Sequence, residues 1–192
     1  ILGGEPLLYK SAIEKLANLD PQRKNKITLS FVTNGSQPIV PVVEKLQGYK
    51  RVNIQVSLEG VGNTQDYIRK HSVWSKIERN VLDFRALDTS KHTLTVVNLI
   101  QALSVENTPL LGAWCNKHDI RLQQDLLYNP NYLNINSLST EFISSLPSHP
   151  SFSEHKHVPE QRDRLRRFVA WYETRHTLSL KDVSPGVYSD IS

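Results

Sequence analysis

The chain has 192 residues, of which 39% are hydrophobic and 22% charged, and its formal net charge is +4. This composition is typical of a globular domain with its own core, and the chain lacks the run of about 18 apolar residues that predicts a membrane span. The mild, unclustered positive charge does not predict a nucleic-acid partner. A single cysteine excludes a disulfide framework and indicates a reducing, cytoplasmic location.

Strands and helices alternate along residues 1–130. The apolar patterns predict strands at 1–2, 26–32, 51–58, 92–103 and 120–127, and helices at 10–19, 38–46, 66–87 and 107–118. Such alternation is typical of parallel strands joined by helical crossovers, which is the α/β class. About five strands are too few for a closed eight-stranded barrel. We therefore expect a partial, open β/α barrel with outer helices, and a doubly wound sheet is the alternative.

The strand at 51–58 is polar on one face. Asn53, Gln55, Ser57 and Glu59 alternate with apolar residues, whereas a parallel strand covered on both faces is nearly all apolar. A polar face inside a helix-covered sheet indicates a cavity that holds a ligand. An edge strand with a solvated face is the alternative.

Residues 131–192 are predicted to form a C-terminal extension or cap. Helices are expected at 141–146 and 160–176, and an irregular tail at 178–192. In the helix predicted at 107–118, Leu110, Leu111 and Trp114 are expected to face inward. The arginines of the long C-terminal helix are expected to form a solvated face, with an anion-binding patch as the alternative; they are Arg162, Arg164, Arg166 and Arg167.

The run Gly3-Gly4-Glu5-Pro6 follows the apolar pair Ile1-Leu2 and carries the clearest chemical signal. Glycines let a backbone approach a ligand closely, and the Glu5 carboxylate can accept hydrogen bonds from a ligand ammonium. An ordinary strand-to-helix turn is the alternative. Asn34 and Gln101 follow later predicted strands, where the active-site residues of barrels collect, so both are candidate ligand contacts.

Three motifs in this order resemble the radical S-adenosylmethionine enzymes. They are Gly3-Gly4-Glu5-Pro6, Thr33-Asn34-Gly35, and Ser57-Leu58-Glu59-Gly60 followed closely by Tyr67-Ile68-Arg69. The resemblance covers about residues 1–130, and Asp182-Val183-Ser184-Pro185 resembles the end of members with a small, twitch-like cap. It implies reductive cleavage of S-adenosylmethionine to a 5′-deoxyadenosyl radical, which abstracts hydrogen from a substrate.

The resemblance also implies roles for individual residues. The glycine-rich run would hold the methionyl ammonium, Ser57 would face the ribose or the methionyl carboxylate, and Arg69 would clamp that carboxylate. A guanidinium suits this task because it pairs with a carboxylate through two hydrogen bonds. The implied cofactor-binding residues are Gly3, Gly4, Glu5, Pro6, Asn34, Ser57, Glu59, Arg69 and Gln101.

The chain departs from the family at the cluster cysteines. A Cys-x3-Cys-x2-Cys loop holds the [4Fe–4S] cluster in the family, and this chain has only Cys115, which is expected to be a buried structural thiol. The cluster ligands are expected upstream of Ile1, so this fragment alone is expected to be inactive. The resemblance further implies an electron donor and an unknown substrate, either a peptide or a small molecule.

Other chemistry has weaker support in the sequence. His149, His155 and His157 are expected to be solvated loop histidines, because no carboxylate or cysteine pattern completes a metal site. Asn98 is expected to be structural. Two further functions remain open: a cluster-free family member that binds S-adenosylmethionine or acts as a scaffold, and an unrelated barrel enzyme acting on a small anionic substrate.

Overall fold

A computed structural model describes residues 4–87 and 90–192. Within these ranges the strands are β1 Thr28–Thr33, β2 Arg51–Ser57, β3 His92–Ile100 and β4 Arg121–Leu126. The helices are α1 Lys10–Ala17, α2 Pro21–Lys24, α3 Val40–Lys45, α4 Asn63–Ile68, α5 Trp74–Arg85, α6 Thr108–Lys117, α7 Thr140–Ser145, α8 Pro159–Glu173, α9 Leu180–Val183 and α10 Pro185–Ile191. Single 3₁₀ turns occupy Pro6–Leu8, Val105–Asn107, Asn131–Leu133, Ile135–Ser137 and Pro150–Phe152.

The four described strands form one open parallel sheet in the order β1-β2-β3-β4. Every strand therefore lies next to its neighbour in the sequence, and the α/β class is confirmed. In the register of the sheet, Asn53 of β2 lies opposite Ser30 of β1 and Thr93 of β3. The expected fifth strand, at residues 1–2, lies outside the described residues.

The described residues divide into two compact units. The first comprises the described residues within Ile1–Leu58, Val73–Val97 and Cys115–Gln123. Its core contains fully buried apolar side chains from the sheet and its helices, including Phe31, Val56 and Val81. The alternation predicted for β2 is confirmed, because its apolar residues are buried while its polar residues are only partly covered.

The second unit takes its residues from Glu59–Ser72, Asn98–Trp114 and Gln124–Ser192. One continuous hydrophobic cluster forms its core, and Tyr67, Ile100, Leu165 and Val187 are all fully buried in it. Helix α8 confirms the predicted C-terminal helix. Its exposed arginines include Arg164, Arg166 and Arg167, whereas Arg162 is partly buried and lies 3.9 Å from the Asp190 carboxylate.

The single long helix expected at 66–87 is wrong, because the chain breaks into α4 and α5. His71 has a φ of +68°, a left-handed conformation that cannot continue a right-handed helix. The Ser72 hydroxyl donates to the Asp66 carboxylate over 2.6 Å and closes the intervening turn. The predicted apolar face survives the break, since Ile77 and Val81 are both buried.

Two further expectations are wrong. Leu110 is 56% exposed, while its neighbour Leu111 is fully buried, so only one of the pair faces the core. The tail is helical rather than irregular, as α9 and α10 show. The Glu106 carboxylate accepts hydrogen bonds from the backbone N–H groups of Gly186 and Val187, which satisfies the first turn of α10.

Across residues 4–87 and 90–192, no helix combines the length and the apolar character needed to cross a membrane.

Candidate functional site

In the first unit, the Glu5 carboxylate joins the turn at Pro6–Leu8 to the end of β1. Its Oε1 accepts hydrogen bonds from the Thr33 hydroxyl at 2.7 Å and from the Leu7 N–H at 3.2 Å, and its Oε2 accepts from the Asn34 N–H at 2.9 Å. The structure thus brings Glu5 and Asn34 together, as expected for neighbouring elements. A carboxylate has about four acceptor positions, so protein donors leave about one for a ligand ammonium.

The other predicted binding residues near Glu5 are only partly consistent with ligand binding. Gly4 has a φ of +61°, and a Cβ there would meet the Tyr9 hydroxyl oxygen at 3.0 Å, so glycine is needed for conformation as much as for access. The Asn34 side-chain oxygen accepts from the Ser36 N–H at 2.8 Å and is therefore occupied locally. Pro6 is buried. Gly3 lies outside the described residues.

Ser57 is the last residue of β2, on the partly buried polar face of that strand. The register of the sheet places Ser57 opposite Val97 of β3. No hydrogen bond joins its hydroxyl to a described residue, so the hydroxyl remains free to bind a ligand.

In the second unit, two predicted residues, Arg69 and Gln101, meet around the carboxylate of a third, Glu59. Arg69 donates from Nη2 to Glu59 Oε1 over 2.7 Å, and Gln101 donates from Nε2 to Glu59 Oε2 over 3.3 Å. The Gln65 side-chain oxygen accepts from the Glu59 N–H at 2.8 Å. We call these four residues the Glu59 cluster. Sequence reasoning missed Gln65, whose only signal was its place four residues before Arg69, on the same side of a helix.

Helix α4 holds Arg69 in place through a buried tyrosine. Tyr67 is fully buried, and its hydroxyl donates to the Glu173 carboxylate at 3.3 Å. Burial, reinforced by Glu173, raises the pKa of Tyr67 well above its usual range, so the hydroxyl stays protonated. Tyr172 donates from its hydroxyl to the Tyr67 backbone oxygen at 2.7 Å. These contacts fix the last turn of α4, and Arg69 directly follows that turn.

Several polar atoms of the Glu59 cluster are buried without a partner among the described residues. They are Nε2 of Gln65, Nε of Arg69 and Oε1 of Gln101. A buried polar atom without a hydrogen bond costs about 1–3 kcal/mol, so native proteins rarely leave several together. The cluster therefore offers two donors and one acceptor, a pattern that matches a carboxylate beside an ammonium or a hydroxyl.

His149, His155 and His157 are partly buried and hydrogen-bonded within the chain, so they are less solvated than expected. His155 and His157 both donate to the Leu138 backbone oxygen, over 3.2 and 2.8 Å. His149 accepts from the Ser151 N–H through Nδ1 at 3.1 Å, and burial lowers its pKa. Asn98, expected to be structural, is buried and accepts from the Gln124 amide at 3.1 Å.

The described residues do not fit an iron–sulfur cluster. Across residues 4–87 and 90–192, no group of three His, Cys, Asp or Glu side chains could hold a metal ion. Cys115 is fully buried, as expected for a structural thiol, and burial raises its pKa to about 11. A thiol that stays protonated is a poor metal ligand.

Comparisons with protein-family models, with curated proteins and with solved structures find no match to this chain. Evidence for function therefore comes from the side chains, and the Glu59 cluster carries most of it.

Proposed function

We propose that the chain belongs to a radical S-adenosylmethionine enzyme and that the Glu59 cluster binds the methionyl carboxylate of that cofactor. One observation carries the proposal: unpaired buried donors of Arg69 and Gln65 lie in the same cluster as the unpaired acceptor of Gln101. The motifs that resemble the family include Arg69 itself. The finer fold that we propose is a partial β/α barrel, of which the described sheet would be four strands.

In this proposal each residue of the cluster has a separate task. The Arg69 guanidinium has five N–H donors, and its contact with Glu59 uses Nη2, so Nε can turn to a ligand carboxylate. The Gln65 amide adds a neutral donor beside it. Gln101 supplies an acceptor for a ligand N–H or O–H group. Glu59 holds the guanidinium in place before the ligand arrives, which lowers the entropy lost on binding.

For the first unit, the resemblance implies an ammonium-binding role for the turn that contains Gly4 and Glu5. Support comes from the acceptor position that the Glu5 carboxylate retains. Together with a reduced iron–sulfur cluster, S-adenosylmethionine supplies hydrogen-abstracting chemistry when bound. We propose that the cluster ligands precede Ile1, that an electron donor is required, and that the substrate is a peptide or a small molecule.

The carboxylate assignment can be tested with a matched pair of ligands. Calorimetry would measure the affinity of S-adenosylmethionine and of decarboxylated S-adenosylmethionine for the protein and for Arg69→Gln. We expect Arg69→Gln to weaken S-adenosylmethionine about tenfold or more and to leave the decarboxylated ligand unchanged. Arg79→Gln, which removes an exposed arginine of α5, is the control for charge alone. An equal loss for both ligands would overturn the role of Arg69.

A second experiment tests the reaction class. The full-length gene product would be reconstituted with iron and sulfide without oxygen and reduced with dithionite, and 5′-deoxyadenosine would be measured by chromatography. The proposal expects 5′-deoxyadenosine to accumulate with S-adenosylmethionine. Binding without any 5′-deoxyadenosine would instead favour the cluster-free binding protein.

A further inference from the structure

A cavity of about 780 Å³ lies in the first unit, at the amino-terminal halves of the strands. Three of the four described strands begin with a basic residue: Arg51 begins β2, His92 begins β3 and Arg121 begins β4. All of them line this one cavity. None of them belongs to the residues proposed to bind S-adenosylmethionine.

Two arginines approach this cavity from opposite sides of β3. Arg51 belongs to β2 and Arg121 to β4, and these strands flank β3 in the sheet. Neighbouring strands lie about 4.8 Å apart, so the backbones that carry the two arginines are separated by about 10 Å. An extended arginine side chain is long enough to bridge half of that distance. Both guanidinium groups can therefore reach one anion above β3.

The charge of the cavity is positive. Arg85 also lines it, but Arg85 is paired with the Asp119 carboxylate at 2.6 Å. Arg51 and Arg121 have no ion-pair partner among the described residues. His92 lies opposite Val52 in the register, so it is on the other face of the sheet from Gln55 and Thr95, and its ring centroid lies 6.1 Å from that of Phe84. Two uncompensated guanidinium groups on one cavity favour an anionic ligand.

Some polar side chains that line the cavity are hydrogen-bonded within the protein, and others are not. The Asn53 amide is occupied, because it donates to the Ser30 hydroxyl at 3.2 Å and accepts from the Thr93 hydroxyl at 2.6 Å. One layer further along the strands, Gln55 lies directly opposite Thr95. Neither of these side chains has a hydrogen bond to a described residue. They leave an amide and a hydroxyl free to bind a ligand.

We propose that this cavity binds a small phosphorylated molecule, with its phosphate between Arg51 and Arg121 and its remaining polar groups on Gln55 and Thr95. A phosphate suits two guanidinium groups better than a carboxylate does, because its oxygens point in tetrahedral directions and it carries up to two charges. The cavity volume lies within the range of about 300–1,000 Å³ that is typical of small-molecule sites.

Ribose 5-phosphate and ribose form a suitable pair of probes, because they differ only in the phosphate. Calorimetry in chloride buffers of matched ionic strength would measure both with the unaltered protein. We expect ribose 5-phosphate to bind and ribose to bind at least about tenfold more weakly. We expect Arg51→Gln and Arg121→Gln each to weaken ribose 5-phosphate about tenfold or more, and Gln55→Ala to weaken it by a smaller factor.

Arg79→Gln is the matched control, since it removes one positive charge from an exposed site on α5 of the same unit. It should leave the affinity for ribose 5-phosphate unchanged. Circular dichroism would verify that each variant is folded. The proposal is overturned by an absence of binding, by equal binding of ribose, or by an equal loss in Arg79→Gln. S-Adenosylmethionine binding should not change in Arg51→Gln, so the two proposals can fail separately.

Discussion

The carboxylate of Glu59 lies 2.7 Å from Nη2 of Arg69, yet the two side chains are unequally buried, at 10% and 36% exposure. If Glu59 is removed, water can therefore solvate Arg69, but if Arg69 is removed, water cannot solvate Glu59 in the same way. A charge that loses its partner inside a protein costs far more than one that remains in contact with solvent. Loss of Arg69 should therefore cost more stability than loss of Glu59.

Arg69→Ala should lower the free energy of unfolding more than Glu59→Gln does. The first variant leaves a nearly buried carboxylate with the Gln101 amide as its remaining side-chain donor, whereas the second leaves an arginine whose side chain is partly exposed. We expect the difference between the variants to be on the order of 1–2 kcal/mol. Urea unfolding followed by circular dichroism measures both values, and equal or reversed losses would contradict this account of the pair.

Glu5→Ala should destabilise the amino-terminal turn of the first unit by about 2 kcal/mol, because the carboxylate accepts hydrogen bonds from Leu7, Thr33 and Asn34. Hydrogen exchange at the Asn34 amide should accelerate in this variant. Glu14→Ala, which removes an exposed carboxylate from α1, is the control. Unchanged exchange at Asn34 would show that Glu5 does not hold this turn.

The sequence was sufficient to predict those elements whose signal is local. Alternation in β2 located the strand to within a residue of its end, because each inward apolar side chain must be followed by an outward polar one. The break between α4 and α5 could not be predicted in this way. The helical spacing of apolar residues continues across it, and the change shows in the backbone conformation: Arg69 is extended and His71 has a positive φ.

The candidate site likewise contains residues that have a local sequence signal and one residue that has none. Glu59, Arg69 and Gln101 could be predicted because motifs and strand ends mark them in the sequence. Gln65 could not, since its contact is with a backbone N–H six residues earlier in the chain, and no side-chain motif marks such a contact. The helical tail was missed because Glu106 caps α10 from 80 residues away in the sequence, and no local pattern encodes that contact.

Cys115 should be unreactive in the folded protein. Burial raises its pKa to about 11, so at pH 8 only about one thiol in a thousand is ionised, and access to the side chain is blocked as well. A thiol reagent such as dithionitrobenzoate should react slowly with the native protein and within seconds to minutes in urea. Rapid reaction without urea would mean that the α6 region opens readily.

The stability of the second unit should fall as the pH drops below about 6.5. Burial lowers the pKa of His149 in the folded state, while the unfolded chain keeps a histidine pKa near 6.5. Between these values the unfolded state binds more protons, so the free energy of unfolding decreases as the pH falls through 6.5 and levels off below the folded pKa. Protonation of Nδ1 would also remove the acceptor for the Ser151 N–H.

His149→Asn isolates this effect, because asparagine can still accept from the Ser151 N–H but does not titrate. Urea unfolding at pH 7.5 and pH 5.5 should show a smaller loss of stability in the variant than in the unaltered protein. The value at pH 7.5 gives the cost of the substitution itself. Some loss should remain in the variant, since burial, with Lys70 and His71 contributing, also lowers the pKa of His176. An identical loss in both proteins would exclude His149 as a source of the pH dependence.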